Sequence, residues 1–392
     1  MKLRDVFSKK SINKNTIFYL AATLAMAAII WYSAGARIEY SPVDVQGAAF
    51  VPGRVVEILN DETDVGEGGL RFGQQDLRVQ LLAGERKGEY VEISNVLSVD
   101  HSVYAKTGQR IIVYLEPQTD SGYSFTMVQS YERSWAIYAI AALFCCLLAA
   151  VGGKAGARSA FGLAFAFVAI VFLLIPLVVQ GAPPALLSLG LFLCIIAVSF
   201  ISMLGFTKKA AAAMLGAGAG VAICCVLYLA MSQALHVTGY NIQAIDTFVD
   251  IMQNTDIKVE ELMFVGVVVA SLGAAMQVSA TVASNVAELR EADPGASYGM
   301  LFRSGFKAGR GMVGPLANTL VLAFIGTFFV SLALYRIYDL QYSQFINLDD
   351  IAVEVLHVIA PPSALVLCAP ATAFIASRMY GEAARRKKPH RR

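Results

Sequence analysis

One stretch of the chain carries polar side chains at a spacing that would let them bind a solute or bond to neighbouring helices. In "AAMQVSATVASNVAELR" (residues 274–290), Gln277, Thr281 and Ser284 or Asn285 recur every three or four residues. This spacing puts amide and hydroxyl groups on one face of a helix for about three turns. Such groups either bind a solute or hydrogen-bond to neighbouring helices, and both interpretations stay open.

A second polar group lies in "SGFKAGRGMVGPLANTL" (residues 304–320), where Lys307 and Arg310 stand among four glycines. Glycine and proline disfavour a helix interior by about 1 and 3 kcal/mol per residue, so we expect the next helix to begin near Pro315. The free backbone amides before it, with the two bases, would hold an anion or a lipid phosphate. The alternative is a glycine-rich cytoplasmic loop with snorkelling basic side chains.

Three further residues complete the candidate substrate path. With a helix start near Pro315, Asn318 and Thr319 lie in the first two turns and are expected to face the stripe of residues 277–285. His357 is predicted one or two turns from the outer surface, where it would relay protons. A hydrogen bond between helices is the alternative role for this histidine.

The elements that carry these residues belong to a membrane protein. Of 392 residues, 57% are hydrophobic and 15% charged, and the mean hydropathy is +0.59, which is too apolar for a soluble globular protein. One spanning helix needs about 20 apolar residues. We predict eight spans, at 16–34, 135–152, 159–179, 185–205, 210–232, 262–284, 313–335 and 353–378. The fold class is predicted as mainly α, a polytopic helix bundle whose first span is an uncleaved anchor.

Charge along the chain predicts its orientation. Lys and Arg collect in cytoplasmic connections, and alternate connections are basic, namely those with Lys154, Arg158, Lys208, Lys209, Arg290, Arg303, Lys307 and Arg310. The opposite connections are acidic, with Asp246, Asp250, Glu260, Glu261, Asp349, Asp350 and Glu354. Both termini are therefore expected in the cytoplasm. The C-terminal tail "RRKKPHRR" (residues 385–392) is also basic. Because topology explains this charge, no nucleic-acid partner is expected.

Residues 37–134 change abruptly to a soluble composition. Five stretches alternate apolar and polar residues at strand length: "GRVVEIL", "LRVQLLA", "EYVEISNVL", "QRIIVYLE" and "YSFTMVQSY". We predict a small extracytoplasmic β-barrel-like domain, with 15 acidic against 9 basic residues. The predicted domains are then 1–36, the cytoplasmic tail and first anchor, 37–134, and 135–392, the seven-span membrane domain with a basic tail.

Small residues predict close helix packing in two spans. Gly216 and Gly220 mark one packing face, and Gly266, Ala270 and Ala274 recur every four residues on another. The motif "GAGAG" superficially resembles a dinucleotide-binding loop. No strand precedes it, so no cofactor is expected.

Motifs of catalysis and metal binding are absent from the sequence. It contains no HExxH pair, no GxSxG elbow and no Walker loop, and all six cysteines fall within apolar windows. We therefore expect no enzyme activity and no metal site.

Residues 241–262 have the apolar spacing of an amphipathic helix on the outer surface. Such a helix either lies in the membrane interface or gathers acidic side chains at a pore entrance.

Two stretches together resemble the signature of the YibE/F family of bacterial multi-pass membrane proteins. They are "SLGAAMQVSATVASNVAELR" and "SGFKAGRGMVGPLANTLVLAFIG". The resemblance covers the whole arrangement of one anchor, an external β domain and seven spans. It implies a bacterial plasma-membrane protein with a transport-related role, without specifying an activity. Family members usually carry acids where Gln277 and Met312 stand and a small or hydroxyl residue at Pro315, which implies a divergent member.

The functional expectation is a transport-related permease component with a polar path between the sixth and seventh predicted spans. Against coupled transport stands the lack of a carboxylate predicted at membrane depth. The alternative is a non-transporting scaffold or envelope-assembly protein that acts through the external β domain. The expected partners are the lipid bilayer and either a related membrane subunit or a second copy of the chain.

Overall fold

The computed structural model describes residues 14–35, 49–117, 123–237 and 258–386. Its two compact units divide between Leu147 and Leu148; one falls within residues 41–147, the other within residues 1–40 and 148–392. The first unit is built on a β-sheet and the second is a helix bundle. The helix predicted at 241–262 falls largely on residues 238–257, outside the described residues.

Five strands form one antiparallel sheet in the order β3-β2-β1-β4-β5. They are β1 (Ala49–Val65), β2 (Arg71–Leu81), β3 (Tyr90–Leu97), β4 (Arg110–Pro117) and β5 (Tyr123–Tyr131). Each lies on one of the five alternating stretches, so the strand predictions are confirmed. The long β1 pairs with β2 and with β4, and two irregularities in its register with β2 bend it.

The sheet buries one face in a core of its own. Val55, Leu77, Val79, Ile111 and Val113 are fully buried, and strand periodicity puts them on the inner face. The sheet curls, and its edge strands β3 and β5 approach each other. No ladder joins those two strands in the part of the chain that the structure describes. The closed barrel is therefore not confirmed.

Among the described residues, seven helical segments are long and apolar enough to cross a membrane. They are α1 (Lys14–Gly35), α2 (Ser134–Val179), α3 (Pro184–Leu204), α4 (Lys208–Ala234), α5 (Val259–Ala292), α6 (Tyr298–Ile337) and α8 (Asp349–Arg386); the short α7 (Tyr342–Ile346) precedes α8. Their length and composition indicate a membrane protein. Eight spans were predicted, and the difference lies in α2.

The segment α2 contains two of the predicted spans. It has 46 residues, which as a straight helix would be about 70 Å long, more than twice the roughly 30 Å of a bilayer core. The helix is broken at Gly153, whose φ of 54° and ψ of −137° are not helical. Lys154 follows the break directly, where the sequence predicts a basic connection.

The helix α6 does not begin near Pro315, as the glycine content predicts. It begins at Tyr298 after Ser297, whose hydroxyl oxygen accepts a hydrogen bond from the Met300 amide at 3.3 Å. The helix then continues through Pro315 to its end. This N-cap satisfies an amide that would otherwise lack a partner.

Close packing explains why α6 stays helical through its glycines. A Cβ atom on Gly305 would lie 2.5 Å from a methyl group of Val286, and one on Gly309 would lie 2.9 Å from the Cβ of Ala369. These two glycines let α6 approach α5 and α8 more closely than any side chain would allow. The packing they allow outweighs the low helix propensity of glycine, which the sequence argument alone considered.

The helix α8 lies at the centre of the bundle and packs against α4, α5 and α6. At the edge of the bundle, α1 packs on α2 and α3. The Tyr19 hydroxyl of α1 donates to the Ser202 carbonyl oxygen at 3.1 Å. The candidate residues of α5, α6 and α8 therefore belong to one packed group of helices.

Candidate functional site

The polar stripe predicted on α5 lies at the outer surface of the bundle. Gln277 is exposed, and Thr281, Ser284 and Asn285 are half-buried. The Thr281 hydroxyl donates to the Gln277 carbonyl oxygen of its own helix at 3.1 Å. Within the described ranges, the Gln277 side-chain amide has no hydrogen-bond partner. Within the residues that the structure describes, the stripe therefore does not line an enclosed path.

One member of the stripe is bonded to α6. Ser304 donates its hydroxyl hydrogen to Oδ1 of Asn285 at 2.8 Å. Asn318 and Thr319 are exposed on α6, and the Thr319 hydroxyl donates to the Pro315 carbonyl oxygen at 2.9 Å. No hydrogen bond joins Asn318 or Thr319 to the α5 stripe in the described part of the chain. Sequence reasoning omitted Ser304 because it expected a loop there.

The predicted anion site on α6 has its two basic side chains, but the glycine-rich loop that was expected around them is helical. Lys307 and Arg310 are exposed. The segment that contains them is helical, so most of its backbone amides already bond to carbonyl oxygens of the preceding turn. Free amides therefore contribute nothing to an anion cradle here, and contact of the two bases with lipid phosphate stays a prediction.

His357 has a carboxylate neighbour inside α8. Its Nδ1 atom lies 3.9 Å from Oε2 of Glu354, and the two side chains are 25% and 20% exposed. The other carboxylate oxygen, Oε1 of Glu354, is buried and has no hydrogen-bond partner among the described residues. The pair therefore retains an open acceptor beside an imidazole ring, whose nitrogen atoms can donate or accept a hydrogen bond.

Two prolines add backbone acceptors next to this pair. Pro361 and Pro362 are buried inside α8. Proline has no amide hydrogen, so the carbonyl groups four residues earlier, on His357 and Val358, lose their donors within the helix. One carboxylate, one imidazole and two free carbonyl groups thus occur within two turns. Such a set suits a proton or a small monovalent cation.

Sequence analysis counted Glu354 among the acids of an outer connection, at the start of the predicted span 353–378, and did not include it in the candidate path. Glu354 lies in the second turn of α8 and is largely buried. The available signal was its three-residue spacing from His357, which puts both side chains on one helix face. Among the described residues, no group of three or more His, Cys, Asp or Glu side chains is placed to hold a metal ion.

A separate polar cluster is fully buried where α4, α5 and α8 meet. The Ser279 hydroxyl lies 3.0 Å from the Thr372 hydroxyl oxygen and 3.3 Å from the Cys368 sulfur. A side chain on Gly216 would collide with Thr372, and a Cβ on Gly220 would lie 2.8 Å from the Cys368 sulfur. The two glycines thus make room for polar side chains of α8. Because its members bond to one another and to backbone, the cluster joins helices.

The other small residues that were predicted to pack helices differ in how far they are buried. Ala274 is buried beside α6 and α8, and Ala270 is half-buried. Gly266 is exposed, and a Cβ atom there would meet nothing within 4 Å. The exposed end of this face therefore has room for a further helix.

The β-sheet unit contains a buried amide pair. Gln75 and Asn95 are 0% and 1% exposed, and Nδ2 of Asn95 donates to Oε1 of Gln75 at 3.3 Å. Asn95 also donates to the Val103 carbonyl oxygen at 2.8 Å, and the Ala105 amide donates to Oε1 of Gln75 at 3.0 Å. These bonds hold the segment 98–106 against the sheet.

An exposed carboxylate, Asp61, is bonded to a half-buried tyrosine of this segment. Asp61 accepts hydrogen bonds from the hydroxyl groups of Thr63 at 2.6 Å and Tyr104 at 2.8 Å. These bonds, Thr63 first, hold the pKa of Asp61 below its ordinary value, and the bond to Asp61 raises the pKa of Tyr104. The Arg71 guanidinium lies 4.1 Å from the centroid of the Tyr104 ring.

Comparison with known proteins gives one match. A family model described as YibE/F-like protein matches residues 140–382. No curated protein and no solved structure matches the chain. The matched region contains the α5 stripe, all of α6 and the Glu354–His357 pair.

Proposed function

The chain belongs to the YibE/F-like family, and on that premise we propose that it is a transport-related permease component of the bacterial plasma membrane. In this proposal the Glu354–His357 pair binds protons or a small monovalent cation. The polar faces of α5 and α6 guide the solute, and the exchange of ions at α8 supplies the coupling.

One observation carries the proposal: the buried Oε1 atom of Glu354, which has no partner among the described residues. Leaving a buried acceptor unsatisfied costs about 1–3 kcal/mol. An apolar side chain at this position would avoid that cost, so stability does not account for the acid. Ionisable groups within membrane helices characteristically mark routes of ions and protons.

The distribution of charge supports an orientation with both termini in the cytoplasm. This orientation requires an even number of crossings. If α2 crosses twice, with its break at Gly153 on the cytoplasmic side, Lys154 and Arg158 face the cytoplasm. Glu354 and His357 then lie toward the outer side of the membrane.

Ion flux into liposomes tests the proposal. The full chain is reconstituted with a pH-reporting or sodium-reporting dye in the lumen, and a gradient of either ion is imposed. We expect flux above that of protein-free liposomes, and a reduction of at least tenfold in Glu354→Gln, because the amide cannot bind and release a proton. His357→Gln is expected to reduce the flux as well.

A matched control removes the same charge from the same helix. Asp349 begins α8 and is exposed, so Asp349→Asn should leave the flux unchanged. The proposal is wrong if the native chain conducts neither ion faster than empty liposomes. It is equally wrong if Asp349→Asn lowers the flux as much as Glu354→Gln does.

A second candidate function is a scaffold for envelope assembly. The observation that favours it is the half-buried pair of Arg71, on β2, and Tyr104, on the segment that the buried amides of the β unit hold in place. Rigid aromatic and arginine side chains are typical anchors of protein interfaces. In this case Tyr104→Ala would abolish assembly in cells without changing ion flux, whereas Glu354→Gln would have no effect on assembly.

A further inference from the structure

A third titratable side chain lies on the same face of α8 as the Glu354–His357 pair. Asp350 precedes Glu354 by four residues, and Glu354 precedes His357 by three. Residues at these spacings are neighbours on one face of a helix, with about 5–6 Å between their Cβ atoms. The three groups therefore form a file that rises about 10 Å from the beginning of α8. All three are partly buried, whereas Asp349, about 100° around the helix from Asp350, is exposed.

A tyrosine of α6 holds the first member of this file. The Tyr335 hydroxyl, near the end of α6, donates to Oδ2 of Asp350 at 2.8 Å. The centroid of the Tyr335 ring lies 6.0 Å from that of Phe345 on α7 and 6.3 Å from that of Phe328. These contacts position the phenol and, through it, the carboxylate. A carboxylate has two oxygen atoms, so Asp350 can accept further hydrogen bonds while it keeps this one.

Two other acids at this end of the bundle have contacts of their own. Oε2 of Glu261, on the first turn of α5, accepts a hydrogen bond from the Ala185 amide of α3 at 3.2 Å. Asp339 is paired with Arg336 at the end of α6, at 2.9 Å. Asp350 is the acid that helical spacing puts next to the partly buried pair.

The arrangement of the three groups suits a proton better than a metal cation. The groups follow one another along the helix, and the described residues include no group of three or more His, Cys, Asp or Glu side chains that could surround a metal ion. The two carbonyl groups freed by the prolines point toward the C-terminal end of α8, whereas its side chains lean toward the N-terminal end. A file of acids and a histidine within membrane helices is typical of a proton relay.

We infer that Asp350 is the entry group of a proton relay that leads along α8 to His357. This inference rests on the proposed function and selects the proton from the two ions named there. A proton from water forms an O–H bond on the Asp350 carboxylate. That bond breaks as the proton passes, directly or through a water molecule, to the Glu354 carboxylate.

The last transfer runs from Glu354 to Nδ1 of a neutral His357, and Glu354 returns to its carboxylate form. Oε2 and Nδ1 are 3.9 Å apart, so a small side-chain rotation or one bridging water molecule completes this step. Tyr335 takes no part in the transfers. It is the positioning residue that holds the Asp350 carboxylate at the start of the file.

Proton flux into liposomes, read from a pH-reporting dye in the lumen, tests the relay. Asp350→Asn keeps an acceptor for the Tyr335 hydroxyl but loses the group that binds and releases a proton, so we expect at least tenfold lower flux at an unchanged melting temperature. Asp350→Glu retains the carboxylate and should keep most of the flux. Asp349→Asn is the matched control, because it removes the same charge from the neighbouring exposed position and should leave the flux unchanged.

Tyr335→Phe separates the relay from a merely structural contact between α6 and α8. This variant removes the hydrogen bond but keeps the ring and the carboxylate, so we expect a lower melting temperature and only a two- to threefold lower flux. If the bond between the helices were what mattered, Tyr335→Phe would lower the flux more than Asp350→Asn does. That ranking overturns the inference.

A measurement at high salt separates proton transfer from simple attraction of protons by the Asp350 charge. The Debye length falls from about 30 Å at 0.01 M salt to about 3 Å at 1 M, so attraction by a surface charge is screened. The relay requires that Asp350→Asn stay at least tenfold below the native chain in 1 M choline chloride. Convergence of the two fluxes at 1 M contradicts it.

The same assay distinguishes failure of the relay from failure of the proposed function. If Glu354→Gln lowers the proton flux and Asp350→Asn does not, the relay is wrong and ion binding at Glu354 stands. Sodium flux that depends on Glu354, without proton flux, has the same meaning. A native chain that conducts neither ion overturns both.

Discussion

Replacing Gly309 by alanine tests the packing that keeps α6 helical. The added Cβ would lie 2.8 Å from a methyl group of Val282 and 2.9 Å from the Cβ of Ala369. The Val282 methyl group can shift slightly, but the Cβ of Ala369 is fixed to the backbone of α8. The new methyl group therefore fits only if α6 and α8 move apart.

Two opposing effects determine the size of this change. Alanine is favoured over glycine in a helix interior by about 1 kcal/mol, and overpacking a close contact costs about 1–3 kcal/mol. Gly311→Ala provides the matched control, because a Cβ at Gly311 meets nothing within 4 Å. Both variants gain the same propensity, so their difference of about 1–3 kcal/mol isolates the packing effect.

Thermal unfolding of the full chain in detergent, followed by circular dichroism at the helix band, measures the difference. We expect Gly311→Ala to melt above the native protein and Gly309→Ala to melt below Gly311→Ala. Equal melting temperatures for the two variants would refute the close contact of α6 with α8. A loss of stability in Gly311→Ala would refute the continuous helix. In a helix interior with open space around the new methyl group, alanine should be more stable than glycine.

Three other changes test the buried and exposed polar groups. Ser279→Ala removes bonds to two side chains of α8 and should cost about 0.5–1.5 kcal/mol, read from the same melting curve; an unchanged curve contradicts the helix-joining role of the cluster. Asn95→Leu removes the side-chain donor to the Val103 carbonyl oxygen and one of the donors to Gln75, and should release the segment 98–106 to proteolysis in the full chain, at a cost of about 1–3 kcal/mol. The pKa of Asp61 in the folded chain is lower than its ordinary value. The hydrogen bonds of Asp61 therefore stabilise the fold fully above a pH of about 4, and this stabilisation is lost as the pH falls through the lowered pKa. Asp61→Asn should abolish this loss of stability at acid pH, measured by hydrogen exchange corrected for its intrinsic pH dependence. If the loss persists in Asp61→Asn, groups other than Asp61 cause it.

Strand positions could be predicted because their signal is local. Alternation of apolar and polar residues has the period of a strand, and all five predicted stretches form strands. Closure of the sheet is a different kind of property. It depends on whether the two edge strands pair, and no local pattern in "EYVEISNVL" or "YSFTMVQSY" records that pairing.

The start of α6 could not be predicted from propensity. The glycines at 305 and 309 disfavour a helix as isolated residues, yet in the bundle they provide the contact with α5 and α8. The burial of Glu354 could not be predicted for a related reason. The sequence puts its charge at the start of the predicted span 353–378, but only the packing of α8 shows that one of its oxygen atoms is buried.

The sequence by itself determined that this chain is a membrane protein with an alternating β segment, because apolar length and periodicity depend on neighbours along the chain. It also placed amides and hydroxyls on one side of α5. Only the tertiary structure decided that this side is exposed in the described bundle and that Oε1 of Glu354 is buried without a partner among the described residues. Which face of a helix is buried depends on the shape of the helices that meet it, and their contacts join residues far apart in the sequence.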